Sequence, residues 1–284
     1  MKIFNVLKYR LRGESEPLVQ REFTRLRREL ESGPRYTKKA VKFLDYQIDI
    51  VDNISFIWQF RDIFVEEVYR FAGPEEAPLI YDCGANVGVS CLYFKALFPR
   101  ARIKAFEADP KIADMLAKNL ALNGYDDIEV FKKAVWITDG PIDFGCDGAD
   151  SGSIHLDTGK IKVDALRLRD LIIQEEKVAF LKLDIEGAET DVLIDCADVL
   201  ERIDHLYFEY HSWPNLEQLL DVLLNILSVN NFRYYITPIA PRKSPFVNHS
   251  QNGTMDQQLH VFAYHRRTQA NPAPDDRRLT TPIC

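Results

Sequence analysis

Three apolar runs each end in a carboxylate, and a glycine-bearing turn follows the first. Leu79-Ile80-Tyr81 closes on Asp82, and Cys83-Gly84-Ala85-Asn86-Val87-Gly88 leads into an apolar helical pattern. That order reads as a buried strand, a tight loop and a helix N-terminus. Gly84 has no Cβ, so the chain can turn there and come close to a ligand, and Gly88 would let the first helical turn do the same. Glu107 ends the next run, 23 residues after Gly84. A carboxylate at the end of a second strand can hold the two hydroxyls of a ribose. The pair points to a nucleoside cofactor. The dinucleotide pattern G-x-G-x-x-G is broken, because Asn86 stands where its second glycine belongs and Gly88 comes one residue early. A G-x-x-x-x-G-K-[ST] phosphate loop is absent as well.

The third carboxylate, Asp184, ends Val178–Leu183 and is followed by Ile185-Glu186-Gly187-Ala188-Glu189. A fifth strand, His205–Tyr210, carries Glu209, with His211 just beyond its end. A histidine has an ordinary pKa of about 6.5, which suits removal of a hydroxyl proton. His211 is therefore the candidate base, with Glu209 and Asp184 to orient it or to meet the acceptor. The plain alternative is a loop histidine making an ordinary hydrogen bond. Asp184, Glu186 and Glu209 are also an oxygen-ligand set for a divalent cation. A structural role competes there, since Glu186 or Glu189 would favour a helix N-terminus electrostatically. Lys182 lies inside an apolar strand and is expected to pair with one of these acids. His155, His205, His249, His260 and His265 give no comparable signal.

The elements that must position these groups alternate. A helix over Val87–Leu97 precedes a strand at 102–106. Asp109 and Pro110 form an N-cap and first turn for a helix that Asn123-Gly124 closes. Ile128–Phe131 and Ala134–Ile137 form a third strand region, completing a βαβαβ half of a doubly wound sheet. Residues 138–178 are less regular, with hairpin strands expected around Ile142, Phe144, Ile154 and Leu156. The loop Gly145–Ser153 reads equally as a cover for the site or as a solvent-exposed turn. Beyond the strand ending at Asp184, a helix reaches about Leu200, and Leu216–Leu227 forms another. Strands at 232–237 and 259–264 complete the domain.

Upstream, residues 14–45 read as helical with Phe23, Leu26 and Leu30 on one face. Ser32-Gly33-Pro34 breaks this segment, and a second basic helix or turn spans Tyr36–Leu44. Tyr46–Asp52 alternates as a short strand with Asp52-Asn53 as its turn. The aromatic stretch Phe56–Phe71 reads mainly as core, with a part available as a lid. The expected division is an extension over 1–78, a main domain over 79–265 and a disordered tail over 266–284.

Composition bounds the function. The net charge of −7 argues against a nucleic-acid partner. Residues 1–45 nevertheless carry twelve Lys/Arg against six Asp/Glu. That arm, with Arg25, Arg27 and Arg28, is either a solvated helix or a contact for an anionic glycan, glycolipid or peripheral membrane surface. No run of eighteen apolar residues occurs, so no transmembrane segment is expected. Five scattered cysteines without a C-x-x-C pair fit a reducing, cytoplasmic setting better than a disulfide or zinc framework.

The Asp82–Gly88 loop with Glu107 resembles the S-adenosylmethionine (SAM) loop of class I methyltransferases. Phe180-Leu181-Lys182-Leu183-Asp184-Ile185-Glu186-Gly187-Ala188-Glu189 resembles the signature of FkbM-type methyltransferases. Phe106-Glu107-Ala108-Asp109-Pro110, Lys133-Ala134-Val135 and the Ile63-Phe64…Tyr69-Phe71 lead-in are similar to that family as well. The resemblance covers roughly residues 46–240. It implies an α/β, Rossmann-like doubly wound sheet of seven strands, the last antiparallel, with SAM at the carboxyl ends of strands one, two and four. On that reading Asp82, Gly84, Ala85, Asn86 and Gly88 line the methionine portion, and Glu107, with Ala108 beside it, takes the ribose. Ala134 and Val135 flank the adenine. The family activity is methylation of a hydroxyl on a sugar, glycolipid or other natural product. A SAM- or nucleoside-binding regulatory or scaffold protein, or an N-methyltransferase, stays open beside it.

Overall fold

The computed structural model describes residues 18–73, 76–145, 160–249 and 255–270. The expected strand residues Ile154 and Leu156, the loop from Cys146 to Ser153 and the tail beyond 270 lie outside the described residues.

Helix α1 (Leu18–Leu30) buries Leu26 and Leu30. Two of its arginines are paired within the helix or just past its end: Arg25 meets Glu22 at 2.8 Å and Glu29 at 2.6 Å, and Arg27 meets Glu31 at 3.0 Å. Next comes an antiparallel hairpin, β1 (Lys39–Phe43) and β2 (Tyr46–Ile50). The helix or turn expected over Tyr36–Leu44 is therefore a strand. Val41 and Phe43 are buried and Lys42 between them is exposed, a two-residue period that the surrounding lysines disguise. Asp52 is not a turn residue but the N-cap of α2 (Asn53–Phe60), accepting from the Ser55 N–H at 2.9 Å. Its other oxygen accepts from Arg35 Nε at 3.0 Å and the Tyr36 N–H at 2.8 Å. α2 runs directly into a π-helical turn, Arg61–Val65.

The main sheet begins at β3 (Leu79–Cys83) and continues through α3 (Val89–Leu97), β4 (Arg102–Phe106), α4 (Pro110–Leu122) and β5 (Glu129–Phe131). β6 (Ala134–Trp136), β7 (Gly140–Gly145) and β8 (Lys160–Arg167) form a separate three-stranded sheet in the order β6-β8-β7. The third strand region read from sequence is thus split between two sheets. Then follow α5 (Leu168–Ile172), β9 (Val178–Leu183), α6 (Glu189–Asp195), β10 (Ile203–Ser212), α7 (Leu220–Val229), β11 (Phe232–Pro238) and β12 (Gln257–His265). The seven-stranded order is β11-β12-β10-β9-β3-β4-β5. β10, β9, β3, β4 and β5 are parallel, and the last strand, β12, runs antiparallel between β10 and β11. This is the Rossmann-like doubly wound arrangement expected, with one strand order reversal at β9/β3 that opens a crevice at the carboxyl ends. α6 is shorter than expected, stopping at Asp195, and β10 runs two residues further, so His211 lies inside the strand.

Both faces of the sheet are covered. Leu181, Leu183, Leu206 and Phe208 pack against α6 and α7 residues such as Val192 and Leu227. The opposite face holds Phe180 and Tyr207 against Tyr69, Phe71 and Phe94, with Phe43, Phe56, Phe60 and Phe64 continuing the same apolar cluster. The N-terminal segment is thus packed into the core of the main domain. The free edge of β2 is met by α4: Asn119 exchanges hydrogen bonds with the Asp49 N–H and C=O at 2.8 and 2.9 Å. Asn123 does the same for Gln47, at 3.1 and 2.8 Å.

Candidate active site

A cavity of about 480 Å³ opens where the carboxyl ends of β3, β4, β9 and β10 face the N-terminal segment. Its floor is the Gly84–Asn86 loop. Gly84 has φ +78°, and a Cβ there would lie 1.8 Å from the Asp184 carbonyl oxygen, so the two loops touch only because residue 84 is glycine. Asn86 also takes a positive φ of 48°. Gly88 has a different reason: its missing Cβ would meet Leu116 Cδ1 at 2.8 Å, so it admits α4 against α3 and does not form part of the cavity wall.

Glu107 hooks this floor. Its Oε2 accepts from the Asn86 N–H at 2.9 Å and its Oε1 from the Asp109 N–H at 2.9 Å. Burial pushes its carboxyl up to about 7, against the pull of those two N–H donors. Each oxygen keeps a lone pair for a further donor. Ala85, Asn86, Ala108, Ala134 and Val135 all line the cavity around it.

Asp82 lies elsewhere. It is fully buried beneath the loop, with Oδ2 accepting from Ser90 Oγ at 2.5 Å and Cys91 Sγ at 3.2 Å. Its Oδ1 is 3.4 Å from Lys182 Nζ and has no hydrogen-bond partner. Lys182 donates to the Gly84 carbonyl at 2.8 Å and stands 3.5 Å from Asp184 Oδ2. Burial opposes the lysine's charge, but Asp184 and Asp82 outweigh it and hold the ammonium well above its ordinary value. The expected pairing of Lys182 with an acid is therefore a pairing with two, and it clamps the loop from below.

At the ends of β9 and β10, Asp184 and Glu209 share a hydrogen bond on the cavity wall. Burial and the neighbouring Asp184 charge push Glu209 well above the carboxylate range, so it carries the proton. Burial opposes the Asp184 charge too, yet Lys182 and the Glu209 donor hold its carboxyl low. Among the described residues no three His, Cys, Asp or Glu side chains are placed to hold a cation. Of the divalent-cation set read from sequence, all three residues line the cavity; Asp184 and Glu209 share their hydrogen bond, and Glu186 stands 3.7 Å from His211 Nε2.

His211 is off the cavity wall, its side chain 0 % exposed. Nδ1 is 3.4 Å from Glu189 Oε1 and Nε2 is 3.7 Å from Glu186 Oε2. Burial disfavours its charge, but Glu189, Glu209 and Glu186 together push its pKa well above the usual value. The ring is thus enclosed away from the cavity as a brace between Glu186 and Glu189, with the Gln258 amide nitrogen 3.3 Å from its Nε2. Glu189 meanwhile accepts from the Ile185 N–H at 2.7 Å and the Gly187 N–H at 2.8 Å.

The sequence offered part of Phe56–Phe71 as a lid without saying which residues; the opposite wall names them. Trp58, Gln59, Asp62 and Ile63 line it from α2 and the π-helical turn, and Arg35 reaches it from the preceding loop. π-turns recur at functional sites, but nothing in the spacing of Phe60 to Val65 announces one. Tyr69, Tyr207, Gln258 and His260 line the end nearest the antiparallel strands. His260 faces Glu209 across the β10–β12 pairing, a neighbour 51 residues away in sequence.

Residues 82–234 match the Methyltransferase FkbM domain. The 2-O-methyltransferase NoeI of Sinorhizobium fredii is 30% identical over 155 residues, 47% of this chain and 63% of that protein. Methyltransferase 1 of Beauveria bassiana is 25% identical over 159 residues, 47% of this chain and 64% of that protein. Methyltransferase sdnD of Sordaria araneosa is 44% identical over 64 residues, 22% of this chain and 25% of that protein. The chain thus spans less than two thirds of the length of these relatives. Among solved structures, methyltransferase FkbM from Methylobacillus flagellatus aligns with 85% of this chain and 58% of its own at 16% identity, with a TM-score of 0.45.

Proposed function

Because the chain belongs to the FkbM methyltransferase family, we propose that it transfers a methyl group from SAM to a hydroxyl oxygen of a small-molecule or glycan acceptor. The observation that carries this reading is Glu107: a buried carboxyl at the end of β4, raised to about 7, with a spare lone pair on each oxygen and a cavity in front of it. A ribose diol supplies the two donors that such a group lacks. Ala134 and Val135 offer apolar walls beside it, as an adenine needs. The name of the relative NoeI, a 2-O-methyltransferase, supports oxygen as the acceptor atom.

When bound, SAM supplies a methyl carbon on a sulfonium, open to in-line displacement by oxygen. The chain's part is alignment and proton removal. The clamp of Lys182 on the Gly84 carbonyl and the hook of Glu107 on the Asn86 N–H fix the floor on which the cofactor lies. The protonated Glu209 presents its hydrogen to Asp184, so this pair adds one net negative charge near a cationic methyl donor. The acceptor enters past Trp58 and Gln59, an aromatic face beside an amide, which suits a sugar ring and its hydroxyls. Arg61 covers one face of Trp58 at 4.6 Å.

The test has two arms. Calorimetry with SAM and its demethylated product S-adenosylhomocysteine reads the cofactor. Incubation with methyl-labelled SAM and a panel of methyl glycosides and simple secondary alcohols reads the transfer. Binding with transfer to an oxygen supports the proposal. Binding with no transfer to any hydroxyl favours a regulatory binder, and no binding rejects the nucleoside site.

A further inference from the structure

An acceptor hydroxyl must lose its proton as its oxygen bonds to carbon, and most ionisable groups around the cavity cannot take it. Lys182 and Glu209 already carry theirs. Asp184 accepts from Glu209 and faces Lys182 at 3.5 Å. Asp62 is paired with Arg61 at 2.7 Å. His211, the sequence candidate, is off the wall and enclosed by Glu186 and Glu189.

His260 is different. It lines the cavity from β12, directly across from Glu209 in the strand register. Side chains of residues paired across antiparallel strands share a face, so His260, Glu209 and Tyr207 all point to the N-terminal segment. The Tyr207 hydroxyl lies 2.7 Å from His260 Nδ1, and Tyr207 also hydrogen-bonds Tyr69. The His260 ring stacks on Phe262 with 6.0 Å between centroids and meets the Tyr207 ring edge-on at 5.7 Å. Two aromatic contacts and one hydrogen bond fix its orientation. A cofactor held by Glu107 and the Gly84 loop would occupy the β3–β4 end of the cavity, leaving the β10–β12 end for the acceptor.

We propose that His260 is the general base of the reaction and that Tyr207 is its positioning residue, an assignment that rests on the methyltransferase reading. The Tyr207 hydroxyl donates its hydrogen bond to the Tyr69 oxygen, its own oxygen accepts from His260 Nδ1–H, and Nε2 is left with a lone pair. The acceptor O–H proton passes to Nε2 while the oxygen electron pair forms the O–CH₃ bond. The carbon–sulfur bond breaks and its electron pair stays on sulfur, so a sulfonium becomes a neutral thioether and the imidazole becomes an imidazolium. Burial is the largest influence on the resting protonation of His260. Asp62 and Asp184 favour its charge, Arg61 and His211 oppose it, and the balance lies below the ordinary histidine value. The ring is therefore neutral and ready at pH 7.

Nitrogen NMR of the imidazoles in the protein saturated with S-adenosylhomocysteine tests the resting state without any acceptor. His260 should titrate below 6.5 with Nε2 unprotonated, and Tyr207→Phe should shift its tautomer population. A ring that holds its proton on Nε2, or stays cationic to pH 8, overturns the proposal. Kinetics with labelled SAM and the methyl glycosides that turn over gives the second arm. His260→Gln should lower kcat about 100-fold or more and abolish the acidic limb of its pH profile. Its affinity for S-adenosylhomocysteine should stay within about twofold, since the ring is placed at the acceptor end. Tyr207→Phe should give a smaller loss and a displaced limb. Retention of wild-type kcat and of the acidic limb by His260→Gln overturns the base while leaving the methyltransferase reading intact. Failure of the wild-type protein to bind S-adenosylhomocysteine removes both.

Discussion

Glu107→Gln tests the ribose assignment through protons as well as affinity. In the unliganded protein the Glu107 carboxyl sits at about 7 instead of 4.5 because of burial. For a group raised on folding, the stabilising contribution is complete below about pH 4.5 and is lost as pH rises through about 7, up to about 3 kcal/mol. A ribose diol reverses this by donating two hydrogen bonds to the ionised form, each contributing about 1.5–3 kcal/mol. That is enough to bring the carboxyl back to about 4.5 in the complex. At pH 6 each ligand bound should then expel about 0.9 proton, and affinity should climb about 70-fold between pH 5 and pH 8. Calorimetry with S-adenosylhomocysteine in two buffers of different ionisation enthalpy counts the protons. The Gln variant should bind about 30- to 100-fold more weakly at pH 8 and lose most of the proton release. Titration of the ligand's own amine is common to both proteins and cancels in the comparison. A wild-type protein that expels no proton, or a Gln variant with the same pH slope, would refute the assignment.

Three other outcomes follow from the geometry. Gly84→Ala should lower stability by about 3 kcal/mol or more and abolish nucleoside binding, because its Cβ lands 1.8 Å from the Asp184 carbonyl at φ +78°; a thermal melt with and without S-adenosylhomocysteine reads both. Asp52→Ala removes the α2 cap and the tie to Arg35 and Tyr36 and should cost about 2 kcal/mol in urea denaturation. Burial works against the Asp52 charge, but Arg35 and three further donors hold its carboxyl far below 3.8, so this contribution should persist at pH 4 and fade only in stronger acid. His211, raised on folding by its carboxylate neighbours, stabilises fully below about pH 6.5 and loses that contribution as pH climbs through its elevated folded value. Urea titrations from pH 6 to pH 9 should show a wild-type decline that His211→Gln lacks, and parallel curves would count against the brace.

The parallel half of the fold was legible because its signals are local. Strand, turn and helix succeed one another within twelve residues at Leu79–Ser90, and Asp109-Pro110 opens α4 in the position that capping chemistry requires. Glu107 was legible at the end of the second strand for the same reason, but its hold on the Asn86 and Asp109 N–H groups was not. What stayed hidden depends on pairing between distant segments. Gly88 reads as a ligand-facing glycine until Leu116 is placed against it. In sequence His211 stands out at a strand end and His260 gives no signal, yet the first is enclosed by Glu186 and Glu189 and the second is posted on the cavity by an antiparallel partner. Lys39 and Lys42 made a strand resemble a basic helix, because their spacing of three suits one helix face whereas in the strand they point to opposite faces.

The two asparagines of α4 carry a consequence of their own. A two-stranded ribbon with a bare side is an invitation to unwanted pairing between molecules, and proteins commonly blunt it with charge, proline or a covering element. Here a helix stands in for the missing strand. Asn119 and Asn123 are four residues apart, about 6 Å along a helix, and Gln47 and Asp49 are two apart, about 6.8 Å along a strand. The two spacings agree closely enough for each side-chain amide to offer one donor and one acceptor, as a neighbouring backbone would. Aspartate in either place would set a carboxylate against a carbonyl and expose the ribbon's side. Protection of that edge is thereby written into two side-chain amides that lie off the cavity wall.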